Sequence, residues 1–168
     1  QRQGARFSRI FADKHKPRSD FDVHQINCTY YSALECNADA YLAARAVQFF
    51  APGLPQVYYV GLLAGENDFE GMQRAGESRA INRRNYTLDE VELSLQKPVV
   101  QRLLKLIRFR NACPAFNGQF SVEASDDAHL RLAWQAESSA CQLSVDLATF
   151  RAVIRQQRPD GGFDEIPV

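Results

Sequence analysis

The spacing of apolar residues along this chain changes period twice, and each change marks a different kind of element. From Asp39 to Phe50, Leu42, Ala43, Ala46, Val47 and Phe50 recur at helical spacing on one face. Asn37 or Asp39 is a suitable cap before them, and Pro52-Gly53 stops the run. The next apolar stretch, Val57-Tyr58-Tyr59-Val60, lies between Pro55 and Gly61 and does not alternate. A run of that kind predicts a strand covered on both faces, as in a parallel sheet. Helix, tight turn and buried strand together make the αβ step of an α/β fold. Thr87-Leu88-Asp89-Glu90 has the form of a capping box and predicts a helix start. Pro98 opens a stronger helix to Arg110, with Val99, Val100, Leu103, Leu104, Leu106 and Ile107 on its buried side.

After Pro114 the period becomes two. Phe120 and Val122, then Leu130, Leu132 and Trp134, then Leu143, Val145 and Leu147 alternate with polar residues. Ser125-Asp126-Asp127 and Glu137-Ser138-Ser139 separate these runs, and Pro159-Asp160-Gly161-Gly162 forms a further turn. Antiparallel strands joined by turns are predicted, in a small separate β domain over 117–168 that follows a larger α/β portion over 1–116. Trp134 continues the apolar face of Leu130 and Leu132, which favours a core position over a sugar-stacking platform.

The ends of the α/β portion are less regular. Phe7, Ile10 and Phe11 share a face, which predicts a short helix giving way to loop before Pro17. Phe21 to Leu34 reads as extended segment and loop. Leu62 to Tyr86 is a long connection rich in glycine, asparagine and charge. It follows the C-terminal end of the expected strand, where α/β barrels place their function.

Composition narrows the classes. Twenty Lys+Arg balance twenty Asp+Glu, so the basic excess of a nucleic-acid binder is missing. No apolar run reaches the ~18 residues of a membrane span. Cys28, Cys36, Cys113 and Cys141 form no CxxC pair and have no histidine at zinc-ligand spacing. They read as reduced thiols of a cytoplasmic protein. The chain starts at Gln1 with no signal-peptide pattern after it, so the start is expected to be a cut.

Six stretches, in order, resemble one family. They are Gln25-Ile26-Asn27-Cys28-Thr29-Tyr30-Tyr31-Ser32-Ala33-Leu34, Ala44-Arg45-Ala46-Val47-Gln48-Phe49-Phe50, and Pro52-Gly53-Leu54-Pro55-Gln56-Val57-Tyr58-Tyr59-Val60-Gly61. Ala64-Gly65-Glu66-Asn67-Asp68, Ile81-Asn82-Arg83 and Arg108-Phe109-Arg110-Asn111 follow. The chain resembles the sucrose phosphorylase subfamily of the α-amylase superfamily, strongly over residues 7–120 and loosely beyond. The resemblance implies the C-terminal portion of a (β/α)₈ TIM barrel followed by a small antiparallel β domain. Asp39–Phe50 would be the seventh barrel helix, Val57–Val60 the eighth strand and Pro98–Arg110 the last helix.

The chemistry implied by the resemblance is retaining glucosyl transfer to phosphate, giving α-glucose 1-phosphate. A carboxylate nucleophile and a carboxylic acid about 5 Å apart would perform it. In the family these groups precede the Gln25–Leu34 stretch, and the His-Asp pair that carries a third carboxylate is absent here. No catalytic residue is therefore assigned, and this chain alone is expected to be inactive. Two binding elements are implied. Arg83 matches an arginine that grips a glucosyl hydroxyl through its guanidinium fork; on residue type alone it is a surface arginine in a long loop. Ala80, Arg84 and Asn85 stand where the family commonly has Asp, His and Tyr. Asp22-Val23-His24-Gln25 matches a mobile acceptor loop that binds fructose or phosphate. His24 replaces a common tyrosine, as in relatives that use an anionic acceptor such as sucrose 6'-phosphate or glucosylglycerate. A histidine can donate to a phosphate or carboxylate and gain charge near neutral pH; the plainer reading is a solvated loop histidine. Lys14, Lys16 and Arg18 lie just upstream. Asn67 and Asp68 are further candidates for the acceptor site.

No metal or cofactor is implied. The expected partners are a small sugar substrate and inorganic phosphate, without nucleic acid or membrane, and a homodimer of the full-length enzyme is the protein partner the resemblance allows. The competing readings are another α-amylase-superfamily hydrolase or transglycosidase, and a non-catalytic sugar-binding remnant.

Overall fold

A computed structural model describes residues 6–9 and 23–168, with 6–9 and 23–25 described as backbone. The chain divides into two compact units, one of residues 1–36 and 58–95 and the other of residues 37–57 and 96–168.

In the first unit, β1 (Arg6–Arg9) pairs antiparallel with β2 (Val23–Asn27). The short helix expected at Phe7 is therefore a strand at that residue, and Ile10 and Phe11 lie outside the described residues. The cause is tertiary: pairing with β2 gives these backbone groups partners that a three-residue apolar face cannot supply locally. A single helical turn, α1 (Tyr30–Ala33), follows β2 where loop was expected. Thr29 caps it by accepting a hydrogen bond from the Ser32 amide at 3.1 Å.

The strand expected at Val57–Val60 is also corrected. Tyr58 is extended, but α3 (Tyr59–Leu62) is a helical turn, closed by Leu62 N–H to Tyr58 O at 2.9 Å and Leu63 N–H to Tyr59 O at 3.1 Å. Tyr58 and Tyr59 are exposed rather than covered on both faces. Neither described sheet includes this segment, so a parallel strand here would lack a ladder and the backbone bonds to itself instead. The long connection beyond it holds α4 (Phe69–Ala75) and a 3₁₀ segment, Ser78–Asn82. α5 (Leu88–Leu95) then starts on the capping box. Glu90 N–H donates to Thr87 Oγ1 at 3.3 Å, and Thr87 N–H donates to Glu90 Oε2 at 2.9 Å.

The second unit holds α2 (Ala38–Phe50), α6 (Pro98–Ala112) and a five-stranded antiparallel meander. Its strands are β3 (Gln119–Glu123), β4 (His129–Gln135), β5 (Ala140–Asp146), β6 (Ala152–Gln157) and β7 (Phe163–Pro167), paired in chain order. Asn37 caps α2 by accepting from the Asp39 and Ala40 amides, both at 3.0 Å. On α6, Val99, Val100, Leu103 and Leu106 are buried, while Leu104 and Ile107 are half-buried. The expected period of two holds at Leu132 and Trp134 in β4 and at Leu143 and Val145 in β5, which are buried; Cys141, and Ala152 and Ile154 of β6, for which no pattern was expected, are buried as well. The period fails at the edges: Val122 is exposed, and Leu147 falls beyond the end of β5 and is exposed as well.

Trp134 is a core residue. It is 7% exposed, and its indole N–H donates to Phe50 O at 2.7 Å. Its ring meets Phe116 at 5.7 Å and Phe120 at 5.3 Å, and Phe116 meets Phe50 at 5.1 Å. Burying a ring of this kind stabilises by about 1.5–3 kcal/mol. Gly118 lets the chain enter β3 beside β4, because a side chain there would stand 2.0 Å from the Gln135 carbonyl oxygen.

Candidate functional site

The candidate residues that the described structure brings together lie in the first unit. β2 carries His24 and Gln25. In the β1–β2 register Ser8 faces Gln25 and Arg9 faces Val23, so the ladder passes over His24 and leaves it as the extra residue of an irregularity. Bulges of this kind bend a strand and re-aim the residue they skip, and they are common beside active sites. Asp22, with Lys14, Lys16 and Arg18, lies outside the described residues.

The strand then turns inward. Asn27 and Thr29 are buried polar residues, and Cys28 between them is half-buried. Asn67 meets this turn with three groups. Its amide N–H donates to Ser32 Oγ at 3.0 Å, its Oδ1 accepts from the Thr29 amide at 2.7 Å, and its Nδ2 donates to Cys28 Sγ at 3.4 Å. The next residue, Asp68, donates its amide to Ile81 O at 2.8 Å. Its carboxylate caps α4 by accepting from Gly71 N–H at 2.8 Å. A Cβ at position 71 would lie 2.2 Å from that carboxylate, so only glycine allows the close cap. The amide of Asn82 returns to the first segment, with Nδ2 donating to Cys28 O at 3.4 Å. Three segments remote in sequence, 28–32, 67–68 and 81–82, thus close on one another.

Arg83 ends the 3₁₀ segment, its amide donating to Ala80 O at 3.1 Å and its side chain exposed. Beside it is an aromatic wall. Tyr58 and Tyr59 lie 4.5 Å apart by ring centroid, Tyr86 meets Tyr59 edge-on at 6.2 Å, and the Tyr59 hydroxyl donates to Arg84 O at 2.8 Å. Burial first, then the neighbouring phenols, hold the Tyr59 hydroxyl above its ordinary pKa, while the Arg83 charge pulls it down. The bond from the Tyr59 hydroxyl to Arg84 O holds the Arg83–Arg84 backbone against this wall. Arg84 lies 5.2 Å over the Tyr86 ring and pairs with Glu90, and both Arg83 and Arg84 are exposed. Among the described residues, no cluster of three His, Cys, Asp or Glu side chains is spaced to hold a metal ion.

Of the sequence-based candidates, Asn67 and Asp68 are tied to the Cys28–Ser32 turn and to Ile81, two residues before Arg83, and His24 and Gln25 lie on the strand that leads into that turn. The polar ends of Asn67 are turned onto Thr29 and Cys28, and one oxygen of Asp68 onto its own helix. Thr29, Ser32, Asn82 and Tyr59 were not singled out from the sequence. Thr29 and Ser32 bond as the first and fourth residues of a capping turn, and that spacing was the signal available for them.

These features are a hydrogen-bonded polar turn and a set of exposed tyrosines within one unit, and comparison with known proteins gives the class. No family model matches the chain. Its curated relatives are sugar phosphorylases. The sucrose 6(F)-phosphate phosphorylase of Thermoanaerobacterium thermosaccharolyticum is 60% identical over 90% of this chain and 31% of its own length. The glucosylglycerol phosphorylase of Marinobacter adhaerens is 57% identical over 74% of this chain and 26% of its own. The sucrose phosphorylase of Bifidobacterium adolescentis is 48% identical over 76% of this chain and 25% of its own. The crystal structure of sucrose 6F-phosphate phosphorylase from Thermoanaerobacter thermosaccharolyticum matches with a TM-score of 0.91 at 56% identity, over 99% of this chain and 34% of that one. The chain belongs to the sucrose phosphorylase subfamily and corresponds to its C-terminal part. It spans between a quarter and a third of the length of these curated relatives.

Proposed function

We propose that this chain is the C-terminal part of a retaining α-glucosyl phosphorylase, which splits a glucoside with inorganic phosphate and releases α-glucose 1-phosphate. Residues 1–116 complete a (β/α)₈ barrel and its acceptor loops, and residues 117–168 form the small β domain that follows it in the chain. Arg83 holds a glucosyl hydroxyl. Asp22, His24 and Gln25 belong to the acceptor and phosphate side, and Asn67 and Asp68 border it. The nucleophile and the general acid lie outside this sequence, so the barrel must be completed before any turnover occurs.

The observation that carries this reading is the closure of 28–32, 67–68 and 81–82 within one unit. It joins the strand bearing His24 and Gln25 to the segment ending at Arg83. A phosphorylase needs a glucose contact and an acceptor contact held together in this way, because reacting groups must be fixed relative to one another. The relatives, phosphorylases of sucrose 6(F)-phosphate, of glucosylglycerol and of sucrose, support the α-glucosyl phosphorylase reading and leave the acceptor to the test below.

The test is release of glucose 1-phosphate from sucrose, sucrose 6'-phosphate and glucosylglycerol by the full-length parent, with phosphate and with water. Phosphate-dependent release by the parent, and none by residues 1–168 alone, is expected. Hydrolysis to free glucose without phosphate dependence would assign the parent to the hydrolases, and turnover by the isolated chain would overturn the placement of the catalytic pair.

A further inference from the structure

We propose that Asn67 is a positioning residue for the glucosyl transfer: it clamps the turn after β2 so that the acceptor strand and the Arg83 segment keep one fixed spacing. The inference rests on the phosphorylase reading above and deepens it. Asn67 reaches the turn through its backbone amide, its side-chain oxygen and its side-chain nitrogen, on Ser32, Thr29 and Cys28 in that order. Each of those partners lies within five residues of Asn27, the last residue of β2. The neighbouring peptide is tied to the other element, by Asp68 N–H to Ile81 O at 2.8 Å. The ring closes when Asn82 Nδ2 reaches Cys28 O.

A closed ring of three segments resists shear in a way that a single contact does not. Releasing the Asn67 corner loosens the restraint between β2 and Ser78–Asn82, which then keep their direct bond from Asn82 Nδ2 to Cys28 O. Asn67 is the corner whose side chain bonds to the β2 turn twice, and it sits where a donor and an acceptor are both required. Thr29 offers an amide N–H and Cys28 offers a sulfur acceptor. A carboxamide serves both, whereas a carboxylate keeps the first and can meet Cys28 only by accepting from its weakly donating S–H. Removing the amide leaves the Thr29 N–H without its partner in a half-buried site, and the turn is expected to relax.

The experiment uses the full-length parent enzyme and compares wild type with Asn67→Ala, Asn67→Asp and a control, Asn37→Ala, which weakens a helix cap in the other unit. Steady-state kinetics are measured in the synthesis direction with glucose 1-phosphate and a sugar acceptor, alongside melting temperatures. Asn67→Ala is expected to lower kcat/KM for the acceptor by about 100-fold, the scale of a misplacement of roughly 1 Å, with KM carrying much of the change. Asn67→Asp, which keeps the bond to Thr29, should recover about tenfold of the loss. Asn37→Ala should lower the melting temperature and leave KM where it was.

Amide hydrogen exchange supplies a second reading that does not need turnover. In Asn67→Ala, protection should fall together over Val23–Asn27 and Ser78–Asn82. Loss of protection at Thr29 alone, or a fall in kcat that follows the folded fraction with KM unchanged, would reduce Asn67 to a local structural residue. A wild-type parent that forms no glucose 1-phosphate would instead sink the phosphorylase reading, and the joint exchange response would still decide whether Asn67 couples the two segments.

Discussion

At the scale of single residues, type suggested chemistry and environment assigned it. Trp134 could have been a platform for sugar or a core residue; its hydrogen bond to Phe50 O and its enclosing rings make it core. Asn67 is a candidate for the acceptor surface by type, and its side chain is turned onto the Thr29 amide and the Cys28 sulfur. For His24 the expectation is a charge-assisted hydrogen bond to a phosphate or carboxylate on the acceptor. In the full-length parent, His24→Tyr should weaken a phosphorylated acceptor relative to fructose by about ten- to hundredfold. Synthesis rates with fructose 6-phosphate, glycerate and fructose measure this, and an unchanged preference would leave His24 a solvated strand residue.

The cysteines give a second prediction at this scale. Cys113 and Cys141 are buried in the second unit, and both are free. The Cys113 thiol is held down to about 6, chiefly by the hydrogen bond from Cys141, with the Ala115 amide, the Ser139 hydroxyl and the Arg110 charge assisting against burial. Cys141 is pushed up, because it donates to Cys113 and is itself buried. The folded pKa of Cys113 lies below its ordinary value near 9, so its contribution to stability is present above that value and is lost as pH falls through about 6. Cys141 has the opposite sign, and its cost begins only above its ordinary value. Between about pH 8.5 and 6 the Cys113 slope therefore stands alone. Melting temperature is expected to fall across that range, and Cys113→Ser should flatten the fall. A pH-independent melt for the wild type would mean the pair titrates as ordinary thiols.

At the scale of elements, helices with local start signals formed where the sequence placed them. α2 begins at its Asn37 cap, α5 at its capping box and α6 at Pro98. Removing the cap in Asn37→Ala deprives the Asp39 and Ala40 amides of their acceptor, at a cost of about 1 kcal/mol, within a range of roughly 0.5–2. Urea unfolding of the second unit should report it, and a midpoint equal to wild type would show that another acceptor replaces the Asn37 oxygen. Strands with no local partner did not follow their pattern. Val57-Tyr58-Tyr59-Val60 has the composition of a buried strand, yet a strand exists only where a neighbour supplies the ladder, and α3 forms instead. At Phe7 the opposite happened: the apolar spacing suggested a helix, and a neighbour twenty residues along the chain made it a strand.

At the scale of the whole molecule, the sequence by itself determined the family, the helix caps, the alternation that makes β4 and β5, and the identity of Arg83 and His24 as residues worth testing. All of these depend on residues near one another in the chain, because capping and strand alternation are encoded within a few positions. Tertiary structure alone decided the pairing of β1 with β2, the irregularity at His24, the ring through Cys28, Asn67 and Asn82, and the thiol pair of Cys113 and Cys141. It also decided the grouping of residues 37–57 with 96–168, which runs across the order of the sequence. In each of these the partners lie tens of residues apart or depend on a register between strands. A one-residue slip in register reverses which face a side chain takes, so the hydrophobic pattern can propose a strand but not what lies opposite it. The same limit applies to Asn67. Its type and its loop were visible in the chain, and only the folded unit could bring Thr29 and Cys28 within reach of its amide.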